Sequence, residues 1–173
     1  MILWLVGLSS AGKTTIGREL YDRVKSERND VLFLDGDHVR QVWGDDLGHT
    51  RGDRYENGWR FCRLGRMLDE QGLHAVCCIL SLFEEHREWN REHLSSYFEV
   101  YLDVSMDTLK SRDSKGLYAR AEAGEMENVV GVDILFEEPQ QPDLVLDNDD
   151  PAPTPSDQAD RILNALPPEE GLL

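Results

Sequence analysis

Close to its start the chain carries Gly7-Leu8-Ser9-Ser10-Ala11-Gly12-Lys13-Thr14, followed by Thr15. This spacing, G-x-x-x-x-G-K-[ST], is that of a loop that wraps phosphate groups. The glycines let the backbone turn tightly. Successive N–H groups along Ser9, Ser10, Ala11 and Gly12 can then face phosphate oxygens. A helix starting at Lys13 would add its positive end. Lys13 is spaced to reach β and γ phosphates, and the Thr14 hydroxyl to ligate Mg²⁺. A glycine-rich connector without a ligand is the plain alternative. The context argues against it, because the motif follows an apolar run and opens a helix.

The next apolar run ends in "LDGDHVR", which sets Asp35 and Asp37 two residues apart. In an extended segment, side chains two apart share a face. One carboxylate can position Mg²⁺ or its water, and the other can accept a proton from an acceptor hydroxyl. The competing reading is a solvated turn in which Asp37 caps the following helix. Cations come next: Arg40, then Arg54, Asn57 and Arg60 within "DRYENGWR", on roughly one helical face. Guanidinium groups suit phosphate and sulfate oxygens. Arg63 and Arg66 read as solvated charges.

These residues need a scaffold, and the pattern supplies one. Apolar runs at 2–6, 31–35, 73–80, 97–104 and 143–147 alternate with helical stretches at 13–25, 53–71 and 106–112. Strands that are apolar throughout and separated by helices imply an α/β fold with a parallel five-stranded sheet covered on both faces. Residues 113–128, "DSKGLYARAEAGEMEN", read as a mobile flap rather than core. From Asn148 the chain turns acidic and proline-rich. It then offers a short helix at 156–166, capped by Ser or Asp, and a tail expected to fray. The expected organisation is one phosphate-binding domain over 1–147 with a lid at about 113–130, then a linker, helix and tail over 148–173.

The 173 residues carry 18 Lys and Arg against 34 Asp and Glu, a formal charge of −16. A polymeric nucleic acid partner needs the opposite sign. Small anionic substrates remain open if the cations gather in one cleft. No apolar run approaches a membrane span, and the apolar start lacks the features of a signal peptide. Cys62, Cys77 and Cys78 read as buried reduced thiols of a cytoplasmic protein, with Cys77 and Cys78 pointing to opposite sheet faces. His86 and His93 lie on an expected exposed helix and read as no metal site. Trp4 and Trp89 read as packing, while Trp59, between Asn57 and Arg60, stays open between packing and the site.

The motifs "GLSSAGKTT", "LDGDHVR", "DRYEN", "RDSKGLYARAEAGE", "GVD" and "PDLVLD" follow the order and spacing of adenylylsulfate kinases. The chain resembles that family over roughly residues 2–147. The resemblance implies a P-loop kinase fold, a three-layer α/β/α sandwich. It also implies Mg²⁺-ATP as donor and γ-phosphoryl transfer to the ribose 3′-hydroxyl of adenosine 5′-phosphosulfate, a step of sulfate assimilation. Carried over by position, Asp37 is the base, Asp35 goes with Thr14 at the metal, and Arg112 lies near the ATP base. Arg40, Arg54 and Asn57 become acceptor contacts, as do Ser81 and Leu82 in the substrate loop. Lys115 becomes the lid lysine that closes over the reactants.

The acceptor half departs from the family pattern. His38 stands where the family has Asn. His49 and Val129 stand where it has the two phenylalanines that sandwich adenine. Each lost stacking contact is worth about 1–3 kcal/mol. Glu84 and Glu85 follow the substrate loop where an aromatic and a basic residue are expected. "NVVGVD" and "WRFCRLGRML" are similar to a divergent branch that phosphorylates cytidine diphosphoramidate in bacterial surface-polysaccharide modification. A non-catalytic nucleotide-binding module would tolerate loss of Lys13, Asp35 or Asp37, and all three are present. A regulatory GTPase would need an N-K-x-D segment, which is absent. The acidic tail reads as a solubilising end or a contact with a partner subunit, so the sequence admits a homodimer without requiring one.

Overall fold

The structure is a computed structural model that describes residues 1–44, 46–168 and 172. Five parallel strands form one sheet in the order β2-β3-β1-β4-β5. They are β1 (Ile2–Val6), β2 (Val31–Asp35), β3 (His74–Cys78), β4 (Tyr97–Asp103) and β5 (Leu144–Asp147). The helices are α1 (Lys13–Glu27), α2 (Gly36–Val42), α3 (Arg51–Glu70), α4 (Glu84–His93), α5 (Met106–Ser111), α6 (Leu117–Glu122) and α7 (Pro155–Ala165).

Central β1 is buried along its whole length, and its alternation divides the core into two layers. Leu3 and Leu5 pack with Ile16, Leu20 and Val24 of α1 and with Ala159 and Ile162 of α7. Ile2, Trp4 and Val6 pack with Phe61 and Leu68 of α3. Cys78 joins the first layer and Cys77 the second, and all three thiols are free and buried. α1 lies close enough to the sheet that a Cβ at Gly17 would sit 2.2 Å from Cys78 Sγ. Only glycine fits there.

Several boundaries moved for local reasons. α3 begins at Arg51 rather than Asp53, because the Thr50 side chain and Asp53 form a reciprocal capping box. α7 is capped by Thr154 rather than by Ser156 or Asp157. Pro155 occupies the first helical turn, where its missing N–H costs nothing, and Asp157 completes the box. Two short helices appear that the apolar pattern did not announce, α2 and α6. No helix among the described residues is long and apolar enough to cross a membrane.

Helix α4 corrects the expectation of an exposed surface helix. It buries His86, Arg87 and Asn90. Arg87, fully buried, pairs with Glu84 and lies 3.7 Å from Glu99. Arg91 bridges Glu99 at 3.6 Å and Asp143 at 2.9 Å. His86 is ringed by Tyr55, Trp59 and Phe83, and burial pushes its pKa down to about 4. Trp59 and Trp89 pack edge to face, and Trp89 stacks on His93. Trp59 is therefore a packing residue of the α3–α4 face. Among the described residues, no group of three or more His, Cys, Asp or Glu side chains could hold a metal.

The segment from Asp113 to Asn128 also differs from a flap detached from the core. Asp113 caps α6 by accepting from the N–H groups of Leu117, Tyr118 and Ala119. Tyr118 is fully buried in the α1–α7 layer. After α7, Leu172 returns to the same layer, while the expected frayed end at 169–171 and 173 lies outside the described residues.

Candidate active site

All five strands run in the same direction, so the segments that follow them open at one edge of the sheet. In open α/β sheets that edge is where ligands bind. The loop after β1 carries residues 7–12, and Gly12 begins α1 with φ 98°, a left-handed conformation that favours glycine. Ser10 also has positive φ, 66°. The Lys13 ammonium folds back into the loop and donates to the carbonyls of Gly7 and Leu8, each at 2.7 Å. Burial pushes its pKa down to about 8, against the opposing charges of Cys78, Asp37 and Asp35.

Strand β2 ends at Asp35 itself, so the two acids do not share one extended segment. Asp37 lies in the first turn of α2. The cap of α2 is Asp35, not Asp37: its Oδ1 accepts from the N–H groups of Asp37 and His38. Its other oxygen accepts from Thr14 Oγ1 at 2.7 Å. A hydroxyl and a carboxylate oxygen so close are a hard-oxygen pair. They suit Mg²⁺, which takes one or two protein ligands and completes its shell with phosphates and water. Thr14 and Thr15 are exposed beside them.

Lys115, just before α6, donates to Asp37 Oδ2 at 2.8 Å, so the expected lid lysine meets the acid across 78 residues. That bond holds the Asp37 carboxyl below its ordinary range and raises Lys115, and both side chains remain largely exposed. Asp35 and Asp37 both act electrostatically on Lys13 and on Lys115, which brings the four expected catalytic residues into one cluster.

A second cluster is cationic. Arg40 donates to the carbonyls of Leu47 and Gly48, and Arg54 to those of His49 and Asn128. Among the described residues neither makes an ion pair, whereas Arg60 is spent on Asp46 at 2.7 Å. Burial and then the charge of Arg40 push Arg54 down. Burial, followed by Arg54 and Arg40, likewise lowers His49. Asp37 also acts on Arg54 and His49, so the acid and the two arginines face common space. Asn57 lines a narrow gap with Arg40, Trp43, Asp46 and Leu47.

Other expected contacts are more withdrawn. Val129 is 1% exposed and Leu82 3% exposed, so both side chains lie in the core. Ser81 is buried with φ 49°, and its carbonyl accepts from buried Arg87. Arg112 donates to the carbonyl of Asn148 and pairs with Asp150, at the connection from β5 to α7. Near the substrate loop, Arg51, Gly52, Tyr55, Phe83, Glu84, Glu85 and Glu137 line an open cleft of about 590 Å³. Glu84 is turned to Arg87, and Glu85 accepts from the Tyr55 hydroxyl.

The sequence reading missed three supports. Tyr118 donates its hydroxyl to the Ser9 carbonyl at 2.9 Å, tying the lid to the loop; its signal was the "KGLY" motif. Asp133 accepts from the N–H groups of Asn128 and Val129, shaping the segment after the lid. Asn148, read as the start of a linker, is buried beneath the phosphate loop and donates to the Ala11 carbonyl at 2.9 Å.

A parallel sheet with a glycine-lysine loop after its first strand, an acid after the second and a lysine before α6 that reaches that acid's neighbour defines a P-loop kinase, a phosphotransferase with a hydroxyl acceptor. Residues 1–147 match the family described as adenylylsulphate kinase, and the chain belongs to that family. It is 39% identical over 147 residues to the cytidine diphosphoramidate kinase of Campylobacter jejuni, covering 85% of each chain. It is 38% identical over 164 residues to the adenylyl-sulfate kinase of Halothermothrix orenii, covering 95% of this chain and 88% of that one. Among solved structures, the Mycobacterium tuberculosis APS kinase in complex with AMPPNP and APS superposes with a TM-score of 0.86 at 30% identity, over 95% of both chains.

Proposed function

We propose that the chain transfers the γ-phosphoryl group of ATP to the ribose 3′-hydroxyl of a small nucleotide, as an adenylylsulfate kinase does with adenosine 5′-phosphosulfate. The observation that carries this reading is the convergence of Lys13, Asp35, Asp37 and Lys115 at one loop mouth. The loop amides and Lys13 hold the triphosphate, with Ser9 to Thr15 as its contacts and Arg112 toward the base. Thr14 and Asp35 are the residues that would hold Mg²⁺, which when bound neutralises charge across the β and γ phosphates. Asp37 accepts the proton of the attacking hydroxyl as its oxygen bonds to the γ phosphorus and the bond to the β-phosphate oxygen breaks. Lys115 then turns from Asp37 to the transferred group. Arg40, Arg54 and Asn57 bind the acceptor's anion and sugar beside His49, while the buried Ser81, Leu82 and Val129 back the pocket from the core rather than line it. Among the described residues neither arginine forms an ion pair with a carboxylate, so an anion between them relieves like-charge repulsion.

A second acceptor has its own support. With His49 and a buried Val129 in place of two rings, nothing at those positions builds a two-ring sandwich, which favours a smaller pyrimidine such as cytidine diphosphoramidate. Purified protein with ATP and each acceptor separates the readings. Turnover of adenosine 5′-phosphosulfate alone supports the first, and turnover of the cytidine compound alone supports the second. ATP binding with no transfer to either would leave only a nucleotide-binding module.

A further inference from the structure

Residues beyond the family match reach the back of the phosphate loop. Asn148, 6% exposed, uses all its polar groups in this structure. Its backbone N–H donates to the Asp103 carbonyl at 3.0 Å, and its own carbonyl accepts from Arg112 at 2.8 Å. Its side-chain Nδ2 donates to the Ala11 carbonyl at 2.9 Å, and Oδ1 accepts from Gln158 Nε2 at 3.1 Å. Gln158 is itself fully buried on α7, where Nε2 also donates to the Asp147 carbonyl at 2.9 Å and Arg161 holds Oε1 at 3.1 Å. α7 is fixed to α1 by Ala159 and Ile162 in the core and by Arg23, which pairs with Asp160 and donates to Ser156.

The direction of the Ala11 carbonyl matters. In a trans peptide the carbonyl and the next N–H point in opposite directions. A carbonyl drawn back onto Asn148 therefore turns the Gly12 N–H the other way, toward the inside of the loop. Gly12 is also where the loop touches Asn148, since a Cβ there would lie 2.8 Å from Nδ2. We propose that Asn148 is a positioning residue for the donor nucleotide: braced by Gln158 of α7, it fixes the Ala11–Gly12 peptide so that its N–H meets phosphate. This deepens the kinase reading and rests on it. It makes the C-terminal helix part of the ATP site without touching ATP.

The test is equilibrium binding of AMPPNP with magnesium to the full chain, alongside KM for ATP and for whichever acceptor turns over. Asn148→Ala loses the carbonyl anchor, so AMPPNP affinity falls about tenfold, the scale of one well-placed buried hydrogen bond. KM for ATP follows it, while KM for the acceptor stays within about twofold, which a general loss of structure would not do. Gln158→Leu keeps the helix face apolar and removes the brace to Asn148, together with the bonds to the Asp147 carbonyl and Arg161. It is expected to weaken AMPPNP about threefold, and it carries the test should Asn148→Ala not fold. Unchanged AMPPNP affinity in a folded variant, or equal loss toward donor and acceptor, overturns the proposal. If the unmodified protein does not bind AMPPNP, the kinase reading itself falls and this one with it.

Discussion

At the scale of single residues, the site sets two ammonium groups, Lys13 and Lys115, against two carboxylates, Asp35 and Asp37. Lys13 has a folded-state pKa of about 8, below its ordinary 10.5, because burial disfavours its charge. The cost of that buried charge is therefore full below about pH 8 and is relieved as pH rises from there toward 10.5. A bound triphosphate reverses the bias by favouring the ammonium. Nucleotide binding above this pKa then takes up a proton, and AMPPNP affinity declines as pH rises past about 8. Titration calorimetry in buffers of different ionisation heat measures the uptake, and an affinity flat from about pH 7 to about pH 9 would contradict it. Asp37 is tested separately. Asp37→Asn removes the proposed proton acceptor and one negative charge at the loop mouth. Single-turnover transfer should slow about 10²–10⁴-fold while AMPPNP binds no more weakly. A variant that keeps its rate would remove Asp37 from the chemistry.

At the scale of elements, α7 reaches the phosphate loop through Gln158 and Asn148, so its stability bears on the site. Its start depends on the reciprocal bonds of Thr154 and Asp157. Thr154→Ala should lower the unfolding free energy by about 1 kcal/mol, read as an earlier urea midpoint with unchanged slope. No change would mean that packing alone holds the helix. The phosphate loop and its strand were legible in the sequence because their signal is local: spacing, glycine and an apolar run. Asp35 and Asp37 were legible as a pair, but not which of them caps α2, since that depends on where β2 stops. Asn148 was not legible, because its partners lie 137 residues upstream at Ala11 and 10 downstream at Gln158. It sits in a stretch whose acids and prolines look like solvent. α4 was misread for a similar reason. "EEHREWNREH" carries no apolar stripe, and what draws its Arg87 and Arg91 inward is Glu99, with Asp143, from another part of the chain.

For the whole molecule, the question is how a protein with 34 acidic and 18 basic side chains holds together and still attracts anions. Many of the cations are spent in pairs that are at least partly exposed, such as Arg60 with Asp46, Arg66 with Glu70 and Arg51 with Glu137. Exposed pairs of this kind contribute little, at most about 1 kcal/mol each. What remains is an excess of 16 negative charges repelling one another over a small surface, with Arg40 and Arg54 held back by carbonyls rather than acids. Raising ionic strength screens both the helpful pairs and the general repulsion. The repulsion has more members and longer range, so it dominates the balance. The melting temperature should therefore rise between about 10 mM and about 200 mM NaCl, as followed by calorimetry without nucleotide. A fall over that range would mean that the ion pairs outweigh the surplus charge, and that the acidic surface is a stabilising network rather than a load on the fold.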